Sequence, residues 1–304
     1  MKFLKGLFAI AMALTLTACA SKDDEPIKVL APLGAPSISL LGLAENENVT
    51  IDTVDGPNVL SAEMTKEDSE YDIIIAPINL GAGMITKGKS QYILDSVVTW
   101  GNLYIVGTDE SALSSDGMFA AFGEKSVPQK ILMSSMDVKS IQPEITYFAS
   151  ANEVQQQLIS KKANAGLLAE PAVTATIAKA KEKGIELKIL KDLQKEYQVK
   201  NNTDRVGYPQ AALFVKKGCE DKVKPYVEEA TKFANETALK EENSIKKAVE
   251  TMTPEKIGVP NSEIVKKTWK RQNIKYVKAN EVKDEISLFL KHFKLTLNDD
   301  AYSK

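Results

Sequence analysis

The chain has 304 residues, 43% of them hydrophobic and 26% charged, and a formal charge of −2. That length exceeds one ordinary domain of roughly 100–200 residues, so two lobes with a sizeable core are expected and a mini-scaffold or simple tail is excluded. The near-zero charge supplies no basic field for nucleic acid, and one histidine, His292, with two cysteines, Cys19 and Cys219, leaves no zinc cluster, Cys–His pair by spacing or CxxC redox motif.

Lys2 and Lys5, then the apolar run Leu7 to Leu16, then small residues read as a secretory signal over residues 1–18, too short to span a bilayer. Leu16-Thr17-Ala18-Cys19 resembles the bacterial lipobox, which implies a diacylglyceryl group on Cys19 and membrane attachment at the extracytoplasmic face. Residues 19–26 then form a polar tether. Removing residues 1–18 takes away two lysines and no acid, leaving 37 basic against 41 acidic residues, a net of −4.

Ile27 to Ala31 reads as a buried strand, and Pro32 to Ser37 as a turn opening a helix through Ser39 to Ala44. Val49 to Val54 is a second strand, followed by the Asp55-Gly56-Pro57-Asn58 turn and a helix from Val59 to Lys66. Tyr71 to Ala76 is fully apolar at its centre, the pattern of a parallel sheet covered on both faces. Gln91 to Trp100 and Leu103 to Gly107, joined at Gly101-Asn102, predict a hairpin leading out of the first lobe.

A second series follows. Met118 to Phe122 is a strand, Gly123 to Val127 a loop, and Pro128 a first-turn proline. Ile145 to Phe148 and Ala165 to Leu168 are strands, Ser150 suits a cap for the helix Ala151 to Ser160, and Glu170-Pro171 opens a helix to about Glu182. Ile185 to Leu190 closes the series, Tyr208 to Val215 returns as a strand, and everything after Cys219 reads as helical. Lobe 1 is therefore expected over residues 27–105 and 212–304, and lobe 2 over 106–211.

The order of these pieces carries a resemblance. Gly34-Ala35-Pro36-Ser37, Gly56-Pro57-Asn58, Tyr71 to Ile75, Phe122 to Pro128 and Ala169-Glu170-Pro171 together resemble type II periplasmic binding proteins over roughly residues 27–290. The group most similar binds thiamine-precursor pyrimidines, alkyl sulfonates, taurine or nitrate. Family members often carry tryptophan before Glu-Pro, whereas this chain has Leu168-Ala169. The resemblance implies an α/β fold of two lobes, each a mainly parallel sheet flanked by helices, joined by two hinge crossovers. It also implies a solute caught in the cleft and passed to the permease of an ABC importer.

Loops at the carboxyl ends of parallel strands are where open α/β sheets bind ligands. Gly34, Pro36, Ser37 and Ser39, Asn58, and Pro77 and Asn79 are the candidates in the first lobe; Ser126 and Glu170 are those of the second. Ser37 and Ser126 suit helix capping as well as ligand, Asn79 suits a turn, and Glu170 suits a helix N-terminus with no ligand at all. Tyr208, Trp100 and Phe122 could stack on a planar solute or sit in the core. Only Arg205 and Arg271 could supply a guanidinium fork, and both also suit a solvated face. No catalytic residue, metal or cofactor is expected, and a monomer is. The expected solute is small and polar or heteroaromatic. A sensory or surface-interaction lipoprotein stays open as an alternative, as does, more remotely, an enzyme resembling pyrimidine synthases, whose histidine and cysteine-rich segment have no counterpart here.

Overall fold

The computed structural model describes residues 26–303; the signal segment expected over residues 1–18 and Cys19 lie outside the described residues. In the first lobe β1 (Ile27–Pro32), α1 (Ala35–Ile38), β2 (Val49–Val54), α2 (Pro57–Thr65), β3 (Ile73–Pro77), α3 (Ile78–Thr86) and β4 (Tyr92–Thr99) follow one another. The second lobe holds β5 (Leu103–Gly107), β6 (Met118–Phe122), α4 (Val127–Ser135), β7 (Glu144–Phe148), α5 (Ala151–Ile159), β8 (Ala165–Ala169), α6 (Ala172–Glu182), β9 (Lys188–Asp192) and α7 (Leu193–Asn201). The chain then returns through β10 (Ala211–Lys216) and α8 (Glu220–Lys232), which passes a π turn into α9 (Ala238–Lys240). It finishes with α10 (Glu242–Met252), α11 (Ser262–Gln272), β11 (Ile274–Lys278) and α12 (Lys283–Lys291).

Two mixed sheets result. The first has the order β11-β4-β10-β3-β1-β2, with β1 parallel to β2 and β3 and the returning β10 antiparallel to both β3 and β4. The second has the order β7-β6-β8-β5-β9, with β6 parallel to β7 and β8, and β5 antiparallel to its neighbours. Ile73, Ile74, Ile75 and Ala76 are all buried, as a strand covered on both faces requires. Ser150 caps α5 as its position suggested, its hydroxyl accepting the Glu153 N–H.

The hairpin expected around Gly101-Asn102 does not form, because β4 and β5 belong to different sheets. Each strand finds its partner in its own lobe. Trp100 N–H donates to the Asn273 carbonyl at 2.9 Å, and Leu103 exchanges hydrogen bonds with the Gln194 amide at 2.9 and 3.1 Å. Strand pairing thus puts the crossovers at Trp100–Asn102 and Gly207–Gln210, a few residues before the divisions expected at 105/106 and 211/212. Nor is the chain wholly helical after Cys219: β11 joins the edge of the first sheet beside β4, burying Ile274 and Tyr276 and exposing Lys275. The short amphipathic strand is masked in the sequence by the helical pattern of its neighbours. The helix expected at Ser39–Ala44 is instead one turn at Ala35–Ile38 followed by a 3-10 turn at Leu41–Leu43.

One apolar core runs through both lobes. It passes from Leu30, Ile74 and Phe214 in the first, by way of Trp100, Tyr208, Tyr197 and Phe289, to Phe119, Ile131 and Leu167 in the second. Close approach makes glycine necessary at two points here. A Cβ on Gly81 would lie 2.1 Å from the Phe214 ring, so α3 can press on β10. At Gly207, with φ +105°, a Cβ would lie 2.0 Å from the Trp100 carbonyl oxygen, so the two crossovers touch backbone to backbone.

Candidate ligand site

The carboxyl ends of both parallel strand sets meet the crossovers. At the end of β3, Ile78 N–H donates to the Gln210 carbonyl, and Gln210 N–H donates in turn to Thr99 O, each at 3.0 Å. At the end of β8, Glu170 N–H donates to Asn102 O at 3.0 Å, and the Asn102 amide returns a 2.8 Å bond to the Glu170 carbonyl. The loops after β1, β2 and β3 and those after β6, β7 and β8 therefore open toward the junction of the lobes. That is where α/β sheets hold ligands.

The structure sorts the sequence candidates by exposure. Ser37 is fully buried, and its hydroxyl lies 2.9 Å from Gly34 O and 3.0 Å from Ile257 O. Ser39 is buried too and donates to Pro36 O at 2.6 Å. Both serines brace the loop after β1, which Gly34, at φ +89°, enters by donating its N–H to Ile257 O. Gly34, Pro36 and Pro77 are half-buried, and Asn58 and Ser126 are exposed. The Ser126 hydroxyl turns back to Gly123 O at 2.8 Å.

Glu170 is buried and engaged inside the protein. Its Oε1 accepts from Arg271 Nε at 2.7 Å and from the Thr174 hydroxyl at 2.9 Å, while Oε2 accepts the Thr174 N–H at 3.1 Å. Arg271 Nη2 adds a 2.7 Å bond to the Thr174 hydroxyl, and Tyr104 OH donates to Arg271 O at 2.8 Å. Arg271 stands on α11 of the first lobe and Glu170 precedes α6 of the second, so this charged cluster ties the lobes together. The arginine expected on a solvated face is thus a cross-lobe partner. Arg205 lies 3.3 Å from Glu285 and 4.5 Å above the Trp100 ring.

Tyr208 has no exposed surface. Its ring stacks on Phe289 at 5.9 Å with planes 2° apart and tilts against Tyr197 at 5.3 Å. Burial holds its phenol well above the ordinary range, so it stays protonated. Trp100 is likewise buried, its indole N–H donating to Lys275 O. Phe122, Tyr147 and Phe148, at the carboxyl ends of β6 and β7, keep partly exposed rings. The last two were not evident from sequence, since an aromatic in a strand is ordinarily core.

Asn79 follows the carboxyl end of β3. It is half-buried in the first turn of α3, and its Oδ1 is enclosed with no hydrogen-bond partner among the described residues. The same holds for Gln210 Oε1 and Asn102 Oδ1 in the two crossovers, neither of which sequence reasoning singled out. An amide before a strand or after a turn glycine is too common to signal a site. Among the described residues no three His, Cys, Asp or Glu side chains are grouped to hold a metal, and no helix is long and apolar enough to cross a membrane.

No protein-family model matches the chain, and no curated protein does. Solved structures do. An ABC transporter protein of Parabacteroides distasonis is 23% identical, with a TM-score of 0.74 over 89% of this chain and 92% of its own. The chain has the two-lobed periplasmic-binding-protein fold. The aliphatic sulphonate-binding protein SsuA of Escherichia coli (13% identity, TM-score 0.62, 88% of this chain and 86% of its own) shares that fold. So does a zinc-bound ligand-binding component of an ABC-type import system of Staphylococcus aureus (15%, 0.60, 92% and 96%).

Proposed function

We propose that the chain is a lipid-anchored, extracytoplasmic solute-binding protein that captures a small polar solute between its lobes and delivers it to the permease of an ABC importer. The observation that carries this reading is the junction itself. The carboxyl ends of two parallel strand sets turn toward one another across a boundary that the main chain crosses twice, an arrangement suited to closing around a ligand. The residues there are amides, aromatics and backbone groups, which suit recognition rather than chemistry. The lipobox-like Cys19 supports the anchor, and the solved structures sharing the fold, one named an ABC transporter and one a component of an ABC-type import system, support the transport role.

Two measurements test it. Titrating the purified chain with pyrimidines, sulfonates, taurine, nitrate, amino acids and dipeptides should raise the melting temperature with one class. Ligand at 100 times its Kd stabilises by about 2.7 kcal/mol, a shift of a few degrees for a chain of this size. Radiolabelled palmitate should enter the wild-type chain and not the Cys19→Ala variant, which should leave the membrane fraction. No thermal response to any class sinks the solute-binding reading; labelling that survives Cys19→Ala sinks the anchor.

A further inference from the structure

Residues 264–280 hold six bases, Lys266, Lys267, Lys270, Arg271, Lys275 and Lys278, and no acid, in a chain whose formal charge is −2. The fold sets this run at one side of the first lobe, in the later turns of α11 and the edge strand β11. Arg271 and Lys278 are committed to Glu170 and Asp95. Lys267, Lys270 and Lys275 are exposed and have no carboxylate partner among the described residues.

A hollow of about 450 Å³ lies along α11, lined by Lys266, Lys267, Lys270 and Arg271 and, from α9 and α10, by Leu239 and Glu242. Leu239 is 54% exposed, an apolar side chain left open to solvent among these cations. Glu263, the other acid of the hollow, is held by Lys246 at 2.6 Å, which leaves Glu242 as its one carboxylate without a basic partner among the described residues. A second hollow, of about 370 Å³, opens at β11 beside Arg205, Lys275 and Lys278, with Glu281 as its acid. Cations set around an exposed leucine suit a surface that is anionic at its face and apolar beneath, as phospholipid headgroups are.

The tether decides between a membrane and a soluble acid as the occupant. Residues 20–26 span at most about 25 Å when extended, so a lipid on Cys19 holds the start of β1 that close to the bilayer. Four strand spacings, about 19 Å, separate β1 from β11. A turn of the lobe on its tether therefore brings the basic edge to the membrane, which it meets at high effective concentration.

We propose that the α11–β11 edge docks on anionic phospholipid headgroups of the membrane that holds the anchor, fixing the rotation of a chain that the tether leaves free to turn. The proposal rests on the anchor in the reading above and goes beyond it. The chain beginning at residue 20 carries both lobes and no lipid, which separates this contact from the anchor. It should cosediment with vesicles of phosphatidylglycerol and phosphatidylcholine and not with phosphatidylcholine alone, and about 0.5 M salt should release it. Lys267→Gln with Lys270→Gln should weaken vesicle binding by at least about tenfold, and Leu239→Ser severalfold, with melting temperatures near that of the wild type. Lys87→Gln with Lys89→Gln, in the exposed turn after α3, should leave binding unchanged. No binding to anionic vesicles, or an equal loss in the Lys87 and Lys89 variant, overturns the docking surface and leaves the anchor to the palmitate test. So does calorimetric binding of glycerol 3-phosphate or of a hexaglutamate peptide as tight as that of the vesicles, which would make the edge a site for a soluble phosphate or an acidic protein.

Discussion

Arg271 carries the clearest single-residue consequence. Its guanidinium is the cation facing the buried Glu170 carboxylate, so removing it strands a charge between the lobes. The Arg271 side chain is 39% exposed, so Arg271→Met should cost less than the roughly 3–5 kcal/mol of breaking a wholly buried pair, about 2 kcal/mol by denaturant titration. The double variant with Glu170→Gln should recover part of that loss; equal destabilisation in single and double variants would mean that the pair is not coupled. His292 offers a second test. Burial, and then the charge of Lys130, hold its imidazole below the ordinary value, and the ring stands edge-on to Tyr197 at 5.9 Å. The unfolded chain therefore binds a proton that the folded one resists. Stability contributed by neutral His292 is present above about pH 6.5 and declines as the pH falls through the lower, folded value. Melting temperature against pH should show this slope in the wild type, and His292→Gln should flatten it. The arginines were visible as scarce in the sequence, but their partners stand 80 and 101 residues away and no local pattern points to them.

Among the elements, α12 and the crossovers do most to fix how the lobes sit. α12 belongs to the first lobe, yet its Phe289 stacks on Tyr208 and its C-cap His292 meets Tyr197 of α7 in the second. Phe289→Ala should cost about 3–5 kcal/mol by chemical denaturation, and a loss below 1 kcal/mol would show that the stack is dispensable. Gly207→Ala meets both a left-handed backbone and the Trp100 carbonyl, so it should destabilise by about 3 kcal/mol or more or prevent folding. Near-normal stability there would require that the crossovers can separate freely. The βα order of both lobes was legible because apolar runs, first-turn prolines and turn glycines are local signals. α3, β11 and α7 were not, since a glycine-bearing apolar helix read as a turn, a five-residue edge strand between helices and a charged helix without a strong apolar stripe depend on distant surfaces for their stability.

For the whole molecule, a continuous apolar core spans the crossovers at Trp100–Asn102 and Gly207–Gln210. Saturating solute should reduce the radius of gyration measured by small-angle scattering, and Arg271→Met should alter the unliganded value by releasing one tie between the lobes. Identical scattering with and without a bound solute would mean that the cleft is preformed. The class of fold, its two series of strands and helices, the loops that reach the junction and the lipobox-like Cys19 could all be read from residue order, because each rests on neighbours within a few positions. Which of those loop residues face a ligand could not. Ser37, Glu170 and Tyr208 are turned inward by partners from Ile257, Arg271 and Phe289, while the start of α3 gains Gln210 beside it only when β10 returns beside β3. A side chain's exposure and its hydrogen-bond partners are set by contacts between segments far apart in the chain, and such contacts exist only once the two sheets and their crossovers have assembled.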